Sequence, residues 1–277
     1  MTENIKIHRN IAKLKDIDMF YFDTETDKPV ILCLHGRWGR AEVWVDFIRY
    51  YGRQYRIIAP DQRGHGLSSK PDSDYTGEEM AGDINQLLDF LKLESVILVG
   101  HSMGGQVAGY FAALYPERVK ALAILDKSAG GLAQRVVTQD KTQLVDPLTK
   151  EWPLPFSSLN EAMNFIKQFT DSSLSYQYFM NSLIETAEGY QMMFSSKAMD
   201  ANIKSDVEWF ELLPAFRCPV ILIRAKGGVA VPDKDFTRMQ TLIPNCIARE
   251  MSHSDHNVHL SNKEEFYKYF DEFLAGV

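Results

Sequence analysis

The stretch Ser95–Pro116, SVILVGHSMGGQVAGYFAALYP, decides the fold. After Ser95 comes a continuous apolar run, Val96–Val99, ending at Gly100, the pattern of a strand buried on both faces. From Gly104 onward, small and apolar residues recur at helical spacing. Between strand and helix lies Gly100-His101-Ser102-Met103-Gly104, a G-x-S-x-G turn in the strand–turn–helix setting that a nucleophile elbow requires. The turn must be sharp, and its glycines let neighbouring backbone approach closely. The serine oxygen then stands above a helix N-terminus, whose free N–H groups and dipole favour negative charge. Ser102 is therefore the candidate nucleophile. The competing reading is a tight turn kept by a scaffold that has lost activity.

Outward from this turn the same rhythm repeats. Near-continuous apolar runs at Pro29–His35, Tyr55–Pro60, Ala121–Leu125 and Pro219–Ile223 read as further buried strands, and alternation near 10–14 and 17–23 suggests two more at the start. Glu78–Leu93 and Lys263–Leu274 carry apolar residues at helical spacing. Strands alternating with helices predict a parallel sheet covered on both faces. Residues 130–215 break the rhythm. They hold aromatic and methionine residues at helical spacing, among them Trp152, Phe169, Tyr178 and Phe179, and no obvious strand. The expectation is a helical insertion over the sheet, with most of these side chains in its own core and a few facing a cavity.

Composition narrows the class. The 277 residues carry a net charge of −7 with no long single-sign block, which argues against a nucleic-acid partner. Cys33, Cys218 and Cys246 lie in or beside apolar runs, and three buried free thiols are expected. An odd count without framework or metal-ligand spacing argues against a disulfide-stapled or metal-binding chain. MTENIKIHRN lacks a signal-peptide pattern and no apolar run has membrane-spanning length, so a cytoplasmic protein with no membrane association is expected.

The loop after the strand PVILCL reads His35-Gly36-Arg37-Trp38. Acyl-transfer hydrolases draw one oxyanion donor from this loop and the other from the residue after the nucleophile. The backbone N–H groups of Arg37 and Met103 are the candidates, since such donors stabilise charge developing on a carbonyl oxygen. His35 reads as an orienting residue rather than a proton carrier. His35, Trp38, His101 and Trp152 are expected at the substrate pocket.

The blocks LCLHGRWG, APDQRGHGLS, LVGHSMGG and SDHNVHLSNKEEF resemble the α/β-hydrolase superfamily, with strand and helix spacing to match across nearly the whole chain. The resemblance implies a mostly parallel eight-stranded sheet with helices on both faces. It implies a core at 1–129 and 216–277 and a helical cap at 130–215. In that family the catalytic histidine sits in a loop just before the last helix. His256 is the residue so placed, His253 the runner-up and His259 a neighbour. The family's acid usually follows the strand that is here Pro219–Ile223, in a turn before a Val-Pro pair. Here that turn is Lys226-Gly227-Gly228, without a carboxylate, and Asp233 looks like a helix cap. A subset of the family moves the acid to the end of the strand after the nucleophile helix, where this chain has Asp126. A loop cap in Asp-Lys-Ser is the competing reading. The subset includes an amidohydrolase acting on an acetamidomethylene succinate and cofactor-free dioxygenases of 3-hydroxy-4-oxoquinolines, and this chain resembles the first more closely.

These residues together point to a serine hydrolase of a small ester, amide or activated C–C bond, with no metal or organic cofactor. The alternatives are a cofactor-free dioxygenase and a non-catalytic ligand receptor on the same scaffold. Arg37, Arg40 and Lys127 hint at a carboxylated substrate, and surface solvation explains them equally well.

Overall fold

The computed structural model describes residues 5–132, 146 and 148–277. Among them, the chain runs through β1 (His8–Lys13), β2 (Asp18–Asp23), β3 (Val30–Leu34), α1 (Val45–Tyr51), β4 (Arg56–Pro60), α2 (Gly77–Phe90), β5 (Val96–His101), α3 (Met103–Leu114) and β6 (Val119–Leu125). Next come α4 (Leu159–Phe169), α5 (Ser173–Met180), β7 (Leu183–Thr186), β8 (Gly189–Met192) and α6 (Ser196–Lys204). The chain closes with β9 (Val220–Arg224), α7 (Asp233–Leu242), β10 (Cys246–Glu250), α8 (Val258–Ser261) and α9 (Lys263–Leu274). Eight strands form one sheet in the order β1-β2-β4-β3-β5-β6-β9-β10. Both pairings of β2, with β1 and with β4, are antiparallel, and the others are parallel.

The apolar runs are continuous because both faces of the sheet are covered. In β3, Leu32 and Leu34 pack on one side with Leu98, Leu122, Met80, Val107 and Phe111. Ile31 and Cys33 turn to the other, with Val99, Ile223, Phe47, Phe266 and Phe270. Side chains alternate across a strand, so each residue feeds one of two cores. A buried side chain of this size contributes about 1.5–3 kcal/mol. Two expectations need correction. The segment between β6 and β9 is not purely helical: β7 and β8 pair as an antiparallel hairpin. Cys246 is only partly buried, because β10 is an edge strand with one side open, whereas Cys33 and Cys218 are buried. Residues 133–145 and 147 of the expected insertion lie outside the described residues. No helix among the described residues is long and apolar enough to cross a membrane.

Four histidines are buried: His35, His65, His101 and His259. Burial lowers the pKa of each, that of His35 to about 4 and that of His259 to about 3. The unfolded chain takes up protons as pH falls below about 6.5, while the folded chain keeps His35 neutral to about pH 4 and His259 to about pH 3, and holds His65 and His101 neutral well below their ordinary range. Stability therefore declines as pH falls from about 6.5 towards these folded values, by up to about 1.4 kcal/mol per pH unit for each ring. Urea denaturation should show maximal stability near pH 7 and a steep loss by pH 5. His259→Phe should make that slope shallower, and a flat profile in the unsubstituted protein would contradict neutral burial of these rings.

Candidate active site

Ser102 sits where β5 ends and α3 begins, with φ 52° and ψ −119°. A non-glycine residue holds such a conformation only when its surroundings impose it. Here its N–H donates to Leu125 O at 2.9 Å, and its carbonyl accepts from Gly105 N at 2.8 Å and Gln106 N at 3.2 Å. The two motif glycines permit the packing. A Cβ at Gly100 would stand 2.2 Å from Gly104 O, and one at Gly104 would stand 2.3 Å from Leu34 O.

Asp126 leaves the end of β6, next to β5 in the sheet, with φ 47°. Its carboxylate is buried and both oxygens are occupied. Oδ1 accepts from Ala225 N at 2.8 Å, and Oδ2 lies 2.7 Å from His256 Nδ1. A carboxylate only accepts, so Nδ1 carries the proton and Nε2 is left as the basic nitrogen. The His256 side chain is 45% exposed, so the ring is open to solvent on one side. His101 secures the loop from below: its Nε2–H donates to the His256 carbonyl at 2.8 Å.

The other candidates lie elsewhere. Asp233 is 89% exposed and pairs with Arg224 at 2.7 Å. It is the first residue of α7 rather than its cap, which is Pro232. Gly227 and Gly228 carry positive φ in a turn with no carboxylate. His253 is exposed. His259 is buried and stacks on Trp44 with ring centroids 4.4 Å apart.

The loop after β3 is held in a defined register. Gln62 N–H donates to His35 Nε2 at 2.9 Å, so that nitrogen is unprotonated and Nδ1–H must be the donor to Gly36 O at 2.8 Å. Gly39 N–H reaches the same carbonyl at 3.2 Å. In a trans peptide the N–H points opposite to the C=O. Pinning Gly36 O therefore fixes the direction of Arg37 N–H. The backbone N–H groups of Arg37 and Met103 have no hydrogen-bond partner among the described residues.

Ser102, His101, His256, Arg37 and Trp38 line a cavity of about 180 Å³. Gly36, Leu148, Ser175, Tyr178, Phe179 and Asn257 complete its described wall. Ser102 Oγ makes no hydrogen bond to the imidazole among the described residues, although both groups face this space. Such contacts often tighten only when substrate is bound. Two residues expected at the wall stand behind it. His35 is fully buried beneath the loop it orients. Trp152 packs in an aromatic cluster against Phe165, Phe169 and Phe179. The basic side chains are also engaged. Arg37 Nη2 and Lys127 Nζ both reach Asp206, at 3.2 and 2.5 Å, and Arg40 Nε donates to Asn181 O at 2.6 Å. Burial alone would raise the pKa of Asp206, but Lys127 and Arg37 outweigh it and hold the carboxyl below its ordinary value.

A family model described as alpha/beta hydrolase fold matches residues 29–263. The chain belongs to the α/β-hydrolase family. Its cavity, at the carboxyl ends of the central parallel strands, is where open α/β sheets bind ligands. An uncharacterized protein of Mycobacterium tuberculosis is 39% identical over 108 residues, which is 39% of this chain and 31% of that protein. Other matches extend over most of both chains, these two among them. A 2-(acetamidomethylene)succinate hydrolase of Mesorhizobium japonicum is 26% identical over 262 residues, covering 89% of this chain and 88% of its own. A non-heme chloroperoxidase of Kitasatospora aureofaciens is 27% identical over 276 residues, covering 93% and 96%. Among solved structures, E-2-(acetamidomethylene)succinate hydrolase superposes with a TM-score of 0.82 at 20% identity, over 98% of this chain and 100% of that one. That likeness is one of fold.

Proposed function

We propose that the protein is a serine hydrolase of a small carbonyl compound, acting through an acyl-enzyme in the cytosol. The observation that carries this reading is the 2.7 Å contact between His256 Nδ1 and Asp126 Oδ2 beside a cavity that Ser102 and His256 both line. In this reading His256 Nε2 takes the Ser102 proton as Oγ attacks the substrate carbonyl. The tetrahedral oxyanion lies between the N–H groups of Arg37 and Met103. His256 then protonates the leaving group, and water enters to release the acid by the reverse sequence. Asp126 keeps the proton on Nδ1 and stabilises the imidazolium that forms.

The cavity of about 180 Å³, walled by Leu148, Phe179 and Trp38, favours a compact acyl group. An ester, an amide or an activated C–C bond fits the chemistry, and names among the relatives include a 2-(acetamidomethylene)succinate hydrolase and a 2-hydroxy-6-oxononadienedioate hydrolase. The test is the acid. Asp126→Asn should lower p-nitrophenyl acetate turnover about 10²–10³-fold, since an amide cannot stabilise an imidazolium and can present its N–H to the ring. Asp233→Asn should leave turnover within about twofold, because it lies outside the machinery and mainly alters an exposed ion pair with Arg224. The opposite pattern would overturn the assignment.

A further inference from the structure

The loop that carries the Arg37 donor is strained and held from outside. Trp38, the next residue, has φ 64°, in the left-handed region that a tryptophan occupies only under constraint. Its restraints come from the segment between β6 and β9. Ser182 Oγ donates to Trp38 O at 2.8 Å, and Trp38 Nε1 donates to Asp146 Oδ2 at 3.1 Å. The Tyr178 hydroxyl donates to Arg37 O at 3.0 Å. The Arg37 side chain is tied to Asn202 Oδ1 at 2.8 Å. Gly39 is shaped for the contact: a Cβ there would stand 2.3 Å from the Tyr178 hydroxyl oxygen. Gly36 O is held by the loop's own chain, by His35 next to the end of β3 and by the Gly39 N–H, while the following two carbonyls are gripped only from the insertion, among the described residues.

We propose that Tyr178 and Ser182 are positioning residues that keep the Arg37 N–H in the direction given at Gly36 O, by holding the two carbonyls that follow it against rotation of the strained loop. The insertion is then part of the catalytic geometry and not only a cover. Ser182 is the cleaner probe, because it is buried and outside the cavity wall, whereas Tyr178 is also part of that wall. This inference rests on the serine-hydrolase reading above.

The experiment compares the unsubstituted protein with Ser182→Ala, Ser182→Thr, Tyr178→Phe and Gly39→Ala. The readouts are p-nitrophenyl acetate kinetics and inhibition by butylboronic acid, which forms a tetrahedral adduct on a serine. Ser182→Ala and Tyr178→Phe should each lower kcat about tenfold and weaken boronate inhibition by a similar factor. For Ser182→Ala, KM should change less than about twofold and the pH profile of kcat/KM should stay in place, since His256 is untouched. Ser182→Thr keeps the hydroxyl and should retain most of the activity. Gly39→Ala should reproduce Tyr178→Phe by displacing its hydroxyl, and it decides the point if Tyr178→Phe does not fold. Unchanged kcat and boronate inhibition in Ser182→Ala and Tyr178→Phe, with Ser102 of the unsubstituted protein still labelled by a fluorophosphonate, would overturn the positioning role alone. Absence of that labelling would overturn the hydrolase reading and this inference with it.

Discussion

Replacing Ser102 by alanine should lower ester hydrolysis by roughly 10³-fold or more. Ser102 stands at φ 52° on a turn that two glycines keep tight, so the chain accepts local strain to place this one oxygen at the cavity. Alanine keeps the backbone and removes the atom that, in the proposed mechanism, forms the acyl bond. On the proposed mechanism, what survives is the stabilisation from the Arg37 and Met103 N–H groups and from binding, which acts on attacking water. Thermal stability should stay within a few degrees of the unsubstituted protein, because the hydroxyl makes no hydrogen bond among the described residues. A variant that folds and retains a tenth of the turnover would remove Ser102 from the mechanism.

The second large effect is expected at His256. His256→Ala should be nearly as damaging as loss of the serine, and the double variant should be little worse than either single one. In the proposed mechanism the two side chains act as a unit, so removing one disables the other. The neighbours provide the contrast. His253 is exposed, and its replacement should be nearly silent. His259 is stacked on Trp44 behind the site, so His259→Ala should lower stability by a cavity and leave most of kcat in the protein that remains folded. Severe loss at His253 with none at His256 would show that the catalytic loop is misassigned by three residues.

The parts of this molecule that are legible in its sequence share one physical property: their pattern is imposed by burial on two sides. β3, β5, β6 and β9 are continuous apolar runs because each residue meets one of two cores. The elbow is legible because a G-x-S-x-G turn between such a strand and a helix has few other uses. Asp126 is legible by default, since the turn at Gly227 and Gly228 offers no carboxylate. The hairpin β7–β8 is not, because its strands have four residues each and are mostly half-exposed, leaving little hydrophobic period to detect. The cavity wall is hidden for a different reason. An aromatic facing a cavity and one facing a helix core have the same spacing, so nothing distinguishes Phe179, at the wall, from Trp152, packed behind it. Asn257 and Ser175 carry no motif at all. The role read for His35 as an orienting residue needs its tautomer, which only the Gln62 contact supplies.

The proposed mechanism stands or falls on a covalent bond to one oxygen. Incubating the unsubstituted protein with a fluorophosphonate, then digesting it and locating the adduct by mass spectrometry, tests that bond directly. One equivalent of label on Ser102, within the peptide containing Gly100-His101-Ser102-Met103-Gly104, is the predicted result. A protein that stays unlabelled, or that carries its label on another residue, would contradict the nucleophile assignment and with it the acyl-enzyme mechanism.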